Sequence, residues 1–89
     1  MALFDLLGRR WALRVLWELR EDTLTFRELQ ARCGDMSSSV LNQRLRELRD
    51  AGVLEQATGE GYRLTAEGRS LLGALAPLQT WAVGWSERL

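Results

Sequence analysis

The chain has 89 residues, 46% of them hydrophobic and 27% charged, and its 12 basic and 12 acidic residues give a formal net charge of zero. This length and hydrophobic content predict one small folded domain over residues 1–89 and argue against intrinsic disorder. One Cys and no His exclude a zinc site of the Cys/His type, a His-based catalytic site and an intramolecular disulfide.

The residue pattern over residues 3–20 predicts two helices separated by a bend at Gly8. The first helix is short, and its apolar residues are Leu3, Phe4 and Leu7. The second helix runs roughly over residues 9–20 and carries a wide apolar set: Trp11, Leu13, Val15, Leu16, Trp17 and Leu19. So wide a set predicts a largely buried helix. The charges in this segment exclude a membrane span and a signal peptide, and the lack of a disulfide fits a cytoplasmic protein.

The next segment begins with a strand of one or two residues at Leu24. Thr25 and Glu28 then have the spacing of a capping box, which predicts the start of a helix over residues 26–33. Three residues share the apolar face of this helix: Phe26, Leu29 and Cys33. Cys33 is therefore interpreted as a buried, unreactive thiol rather than as a redox sensor.

A second capped helix follows after a short turn. Gly34 and Asp35 end the helix over residues 26–33. Ser37 caps the next helix, over residues 38–51, and Gly52 ends it. The core side of this helix carries Val40, Leu41, Leu45 and Leu48. Its other side carries five polar residues: Ser39, Asn42, Gln43, Arg46 and Asp50. Such a helix-turn-helix is suited to placing its second helix in the major groove of DNA.

The first turns of the helix over residues 38–51 offer side chains that can contact bases: Ser38, Ser39, Asn42 and Gln43. Asn and Gln amides can pair bidentately with adenine, and Ser hydroxyls can donate to bases or phosphates. Arg46 lies one turn further on the same side and can reach guanine or a phosphate. Arg44 and Arg49 flank this side and are candidates for contacts with the DNA backbone. The alternative, a polar helix surface that only maintains solubility, stays open on these residues alone.

A β-hairpin is predicted after this helix, with strands over residues 53–57 and 62–64 and a turn over residues 58–61. This hairpin forms the wing of the predicted fold. Arg63 is the basic residue near its turn and is a candidate for a DNA contact, whereas Glu60 would repel phosphate. A hairpin that only covers the core is the alternative.

Thr65 caps a final helix whose apolar side reaches the end of the chain: Leu71, Leu72, Leu75, Leu78, Trp81 or Ala82, Trp85 and Leu89. Pro77 removes a backbone hydrogen bond and predicts a kink or a split near Leu75. This apolar surface exceeds what one thin domain needs, which favours a homodimer interface. We expect the interface to contain Leu3, Phe4, Leu7, Leu78, Trp81, Trp85 and Leu89. Intramolecular packing of the tryptophans against the first helix is the alternative.

Three stretches resemble the HxlR-type winged-helix regulators of bacteria and archaea, which are close to the MarR group: LLGRRWALRVLWEL, LTFRELQARCGDMSSSVLNQRLRELRDAGVL and YRLTAEGRSLL. The resemblance implies a dimeric DNA-binding transcriptional regulator with terminal helices in the dimer interface. It also implies a set of residues that face the major groove: Ser37, Ser38, Ser39, Asn42, Gln43 and Arg46. The chain lacks the Cys that many members carry just before the first helix, and its wing is shorter than usual in the family.

The sequence therefore predicts a mainly α-helical winged helix-turn-helix domain with a small β-hairpin wing. We expect a homodimeric regulator that binds double-stranded DNA at a pseudo-palindromic operator, without catalytic residues, metal, cofactor or membrane association. The sequence identifies no small-molecule effector. The alternative function is a protein-interaction or dimerisation module that does not bind DNA, which the zero net charge and the acidic wing favour.

Overall fold

The order of helices and strands agrees with the order that the sequence predicts. A computed structural model describes residues 3–34, 36–59 and 61–89 of the chain. The elements of this part are α1 (Leu3–Leu7), α2 (Ala12–Glu18), β1 (Leu24–Thr25), α3 (Phe26–Arg32), α4 (Ser38–Asp50), β2 (Leu54–Gln56), β3 (Gly61–Leu64) and α5 (Ala66–Glu87). The mainly helical fold with a small wing is thus confirmed. None of the described helices is long and apolar enough to cross a membrane.

Side-chain caps begin three of the helices at the predicted positions. Thr25 Oγ1 accepts a hydrogen bond of 3.1 Å from the backbone N–H of Glu28, whose carboxylate accepts one of 2.9 Å from the N–H of Thr25. Ser37 caps α4 and Thr65 caps α5 with the same first bond. Each cap satisfies a backbone donor that the helix leaves free, and such a cap stabilises by about 1 kcal/mol. These local bonds fix where α3, α4 and α5 begin.

The three strands form one antiparallel sheet in the order β1–β3–β2. β2 and β3 are the predicted hairpin, which we call the wing. β1 pairs with the other edge of β3, where Leu24 lies opposite Tyr62. The sequence predicted the short strand but not this pairing, which ties the start of the helix-turn-helix to the wing. Two residues of the predicted turns, Asp35 and Glu60, lie outside the described residues.

The core lies between α2, α3, α4 and the sheet. Its largest completely buried side chains are Val15, Leu16, Leu29, Leu41, Leu48 and Leu54. The buried residues of α4 follow a spacing of three and four, so they occupy one side of that helix only. Burial of this side fixes α4 to the domain and leaves its opposite side in solvent.

The prediction that the second helix is largely buried is wrong on one side. α2 begins at Ala12, because Trp11 has a left-handed backbone conformation with φ of 77° and stands before the helix. Leu13 and Trp17 were expected in the buried face but are 45% and 48% exposed. The narrower stripe around Val15 already fills the space between α2 and the core. An apolar pattern wider than the contact leaves the surplus side chains at the surface.

Pro77 was predicted to kink or split the final helix. The split does not occur, because α5 is uninterrupted from Ala66 to Glu87 and contains Pro77. Within α5, Gly68 is the residue that is buried. The C-terminal half of α5 exposes Leu78, Trp81 and Trp85 instead of packing them inside the subunit.

Candidate nucleic-acid interface

The exposed side of α4 is polar over its whole length. Ser39, Asn42, Gln43 and Arg46 are all exposed, and they lie opposite the side that contributes Leu41, Leu45 and Leu48 to the core. Because 3.6 residues make one turn, these four side chains follow one line along the helix. The structure therefore brings Ser39, Asn42, Gln43 and Arg46 together on one accessible surface. We call α4 the recognition helix.

The first turn of the recognition helix is held by two sets of hydrogen bonds. Ser37 Oγ accepts a bond of 3.2 Å from the N–H of Val40. Gln30 of α3 donates from Nε2 to Ser38 Oγ at 2.9 Å and to the carbonyl oxygen of Met36 at 3.4 Å. The amide of Gln30 thus braces the turn between α3 and α4. Ser38 keeps a hydroxyl proton that it can donate outward.

Three arginines of the recognition helix have different surroundings. Arg46 and Arg49 are exposed and form no ion pair with the described residues. Arg44 was expected at the DNA backbone, but its side chain is only 11% exposed and pairs with Glu47 at 2.7 Å. Arg46 and Arg49 are therefore available to an external anion, while the guanidinium of Arg44 is already used within the subunit.

Arg63 of the wing is exposed and lies 3.4 Å from Glu55 on the paired strand. Because both side chains are about half exposed in solvent, the pair is weak and can open toward a phosphate. The carboxylate nevertheless reduces the positive potential of the wing. Arg63 is thus a weaker anion contact than Arg46 or Arg49.

One candidate contact was missed in the sequence. Arg27 is exposed in the first turn of α3 and lines a shallow cleft with Gln56 and Tyr62 of the wing. The pairing of β1 with β3 forms this cleft, because it brings the start of α3 beside the wing. The available signal was the position of Arg27 outside the apolar face of its helix.

A second surface of the molecule is apolar. The side chains of Trp81 and Trp85 are stacked, with ring centroids 5.8 Å apart and planes inclined by 7°. Leu3, Phe4, Leu78 and Leu89 of the expected dimer interface are also exposed, and Leu7 is half-buried. An open, mainly apolar groove of about 690 Å³ between α2 and α5 extends this surface, and Leu13, Arg14 and Trp17 form its α2 side.

Cys33 lies at the end of α3 and is 4% exposed. Burial raises the pKa of its thiol, although the nearby guanidinium of Arg14 acts in the opposite direction. A raised pKa lowers the fraction of reactive thiolate at neutral pH. The interpretation of Cys33 as a buried thiol is confirmed.

Comparisons with known proteins agree with this geometry. The model of the HxlR-like helix-turn-helix family matches residues 6–89. The uncharacterized HTH-type transcriptional regulator YvaP of Bacillus subtilis is 31% identical over 87 residues, which cover 91% of this chain and 81% of YvaP. The crystal structure of quinone-bound YodB from B. subtilis has a TM-score of 0.85 at 30% identity, with 91% of each chain covered. A MarR-family transcriptional regulator from Enterococcus faecalis V583 has a TM-score of 0.87 at 26% identity and covers 96% of this chain and 83% of its own.

Proposed function

The chain belongs to the HxlR-like helix-turn-helix family of transcriptional regulators, and we propose that it binds an operator in duplex DNA as a homodimer with α4 in the major groove. It is a DNA-binding regulator and not an enzyme. The observation that carries the proposal is the two-sided character of α4. One side is anchored in the core by leucines, and the other presents amides, hydroxyls and a guanidinium to solvent.

The chemistry of the exposed side fits base edges. Asn42 and Gln43 offer the amide pattern that pairs with adenine, and Arg46 offers the fork that pairs with guanine. Ser37, Ser38 and Ser39 lie at the start of the helix, where backbone N–H groups and hydroxyls favour a phosphate or a base acceptor. Arg49, Arg63 and Arg27 are assigned to phosphates on either side of the groove. Arg44 is not included in this set, because its guanidinium is bonded inside the subunit.

The homodimer part of the proposal rests on the exposed apolar surface of the terminal helices. Stacked tryptophans, leucines and Phe4 form an apolar area that a monomeric protein of this size would rarely leave in water. A two-fold pairing through this area would present two recognition helices to half-sites about one helical turn apart. Because the target is cellular DNA, the proposal includes a cytoplasmic location.

The DNA-binding part is tested by selecting duplexes from a random pool and measuring the affinity of the selected operator against salt. We expect Asn42→Ala and Gln43→Ala to lower operator affinity by about 1–3 kcal/mol each while leaving random duplex almost unchanged. Arg46→Gln should weaken operator binding, whereas Arg88→Gln, which removes the same charge at the end of α5, should not. Equal weakening on every duplex would show that α4 contacts only phosphates.

The dimer part is tested by sedimentation equilibrium of a Trp81→Ser/Trp85→Ser variant. We expect this change to shift the protein toward monomer and to weaken binding to an operator with two half-sites. The matched control is Val83→Ser, because Val83 is also exposed on α5 but lies two residues from each tryptophan and therefore on another side of the helix. Dissociation by the control and not by the tryptophan variant would place the interface elsewhere.

One observation favours the alternative, a protein-interaction module without DNA binding. The net charge is zero, and Glu55 lies beside Arg63 and reduces the positive potential of the wing. Under this alternative the dimer would form normally, and no duplex would bind even at low salt. The salt series therefore separates the two functions.

A further inference from the structure

Arg44 connects the recognition helix to the turn between α1 and α2. Its Nε donates a hydrogen bond of 2.7 Å to the backbone carbonyl oxygen of Arg10. Its Nη1 donates a second bond of 2.7 Å to Oε1 of Glu47, one turn further along α4. A guanidinium can satisfy two acceptors in different directions because its donors are held in a rigid fork. Arg44 uses that fork to join α4 to a neighbouring segment of the same subunit.

The carbonyl group that Arg44 holds belongs to a strained peptide. It is the peptide between Arg10 and Trp11, and Trp11 has φ of 77°. A bulky residue rarely adopts this left-handed conformation, which persists only where the surroundings hold it. Trp11 packs against the core, and Arg44 binds the carbonyl oxygen of this peptide. Both interactions favour this form of the turn.

The same turn carries α1 on its other side. Gly8 ends α1 with a hydrogen bond from its N–H to the carbonyl oxygen of Phe4, and a Cβ at Gly8 would approach that oxygen to 2.7 Å. α1 carries Phe4 and other apolar residues of the proposed dimer interface. The side chain of Arg44 therefore connects the helix that is proposed to enter DNA to the turn that follows a helix proposed to bind the second subunit.

The pair of Arg44 and Glu47 is not the arrangement that best stabilises a subunit. Oε2 of Glu47 is buried and has no hydrogen-bond partner among the described residues. An unpaired carboxylate oxygen opposes folding, and a largely buried ion pair contributes little compared with apolar side chains of the same size. Such pairs are best known for fixing one arrangement of the chain among several.

We propose that Arg44 is a positioning residue, which locks α4 to the Arg10–Trp11 peptide and so fixes the angle of the recognition helix relative to α1. This inference rests on the proposed DNA binding for its effect on affinity. The clamp itself, which consists of Arg44, Glu47 and the Arg10–Trp11 peptide, can be measured without DNA. Its role differs from a phosphate contact, because the positive charge acts inside the subunit.

The Glu47→Gln variant separates the two roles by the sign of its effect. A phosphate-contact role predicts tighter operator binding, because the change removes a negative charge and releases a guanidinium toward DNA. The positioning role predicts weaker binding, because a neutral acceptor holds Arg44 less firmly than a carboxylate does. We expect operator affinity to fall severalfold. Tighter binding would overturn the proposal.

The Arg44→Lys variant provides a second test, because it keeps the charge but cannot span both acceptors. We expect it to lower operator affinity roughly tenfold, as the removal of about one well-placed base contact would, with an unchanged salt slope on random duplex. The matched control is Arg49→Gln, which should reduce that slope by about 0.9 for each phosphate that the variant no longer neutralises. Retained operator affinity in Arg44→Lys would overturn the positioning role.

Hydrogen exchange of the free protein tests the clamp independently of DNA. Amides of residues 8–12 should exchange faster in Arg44→Lys and Glu47→Gln than in the parent, while amides in the middle of α5 keep their rates. Unchanged exchange at residues 8–12 would overturn the clamp. If the parent protein binds no duplex, the proposed function fails, and this exchange result still decides whether the clamp exists.

Discussion

Replacement of Gly68 by Ala should destabilise the protein, although the same change stabilises most helices. Gly68 is buried in the first turn of α5, beneath the residue that precedes β2. A Cβ at Gly68 would overlap the carbonyl oxygen of Val53 and would lie 3.0 Å from its carbonyl carbon and 3.3 Å from the Cβ of Leu64. Since the nearest atoms are backbone atoms, rotation of a side chain cannot relieve the overlap.

The size of the effect follows from three contributions. Ala gains about 1 kcal/mol over Gly in a helix interior. Overpacking of a closely packed site costs about 1–3 kcal/mol. The displaced Val53 carbonyl also accepts the N–H of Thr65 at 3.2 Å, and loss of that bond costs about 1 kcal/mol. We therefore expect Gly68→Ala to lower the free energy of unfolding by about 1–3 kcal/mol. Each kcal/mol lowers the melting temperature of a domain of this size by about 4–8 °C.

Gly73→Ala is the matched control for this prediction. Gly73 lies in the same helix, and a Cβ there would meet no atom within 4 Å apart from the backbone of its own helix. The Gly73→Ala substitution should therefore stabilise the folded protein by about 0.5–1 kcal/mol. Urea unfolding of both variants at one protein concentration measures the difference, because dimerisation makes apparent stability depend on concentration. Equal stabilisation by both changes would refute the close contact between α5 and Val53.

Two further predictions concern ionisable groups. Hydrogen bonds from the backbone and side chain of Thr25 lower the pKa of Glu28 below its usual value of 4.5. The charged carboxylate therefore stabilises α3 at neutral pH. This contribution to stability is lost as the pH falls through the lowered pKa. The stability difference between the parent and Glu28→Gln should shrink over that acid range, and a difference that is independent of pH would contradict the capping box. Because burial raises the pKa of Cys33, a disulfide reagent at neutral pH should label it only as fast as the protein opens, and immediate labelling of the native protein would contradict its burial.

The features that the sequence predicts well depend on interactions between close neighbours in the chain. The capping box of Thr25 and Glu28 closes within three residues, and it appears in the structure as expected. The helix stop at Gly34 and the turn at Gly52 also have the left-handed φ values that only Gly adopts without strain. Each of these features can be recognised locally, because the bond partners or the backbone requirement lie within one turn.

The features that the sequence missed depend on distant segments. Leu13 and Trp17 fit a buried helix face by their spacing, but the width of the contact between α2 and the core decides which apolar residues it covers. Arg44 resembles Arg46 and Arg49 in the sequence, yet its hydrogen-bond acceptor on Arg10 lies 34 residues away. Helical periodicity can place a side chain on one side of a helix, but it cannot identify the backbone group that meets it there. Arg27 was missed for the same reason.

A net charge of zero is compatible with DNA binding because the local charge of the interface matters more than the sum over the chain. The number of arginines in that interface limits the salt dependence. Four exposed arginines per subunit are available near the recognition helix and the wing: Arg27, Arg46, Arg49 and Arg63. A dimer would thus release counterions from about eight phosphates at most, so the slope of log affinity against log salt should be no steeper than about −7. Competition from Glu55 for Arg63 should make this salt slope shallower still.

A slope steeper than this limit would mean that arginines outside this surface contact DNA, which would contradict the assigned interface. Because phosphate contacts carry no direct sequence information, base contacts from Asn42, Gln43 and Arg46 must supply most of the discrimination, and the angle at which α4 enters the groove determines whether they can form.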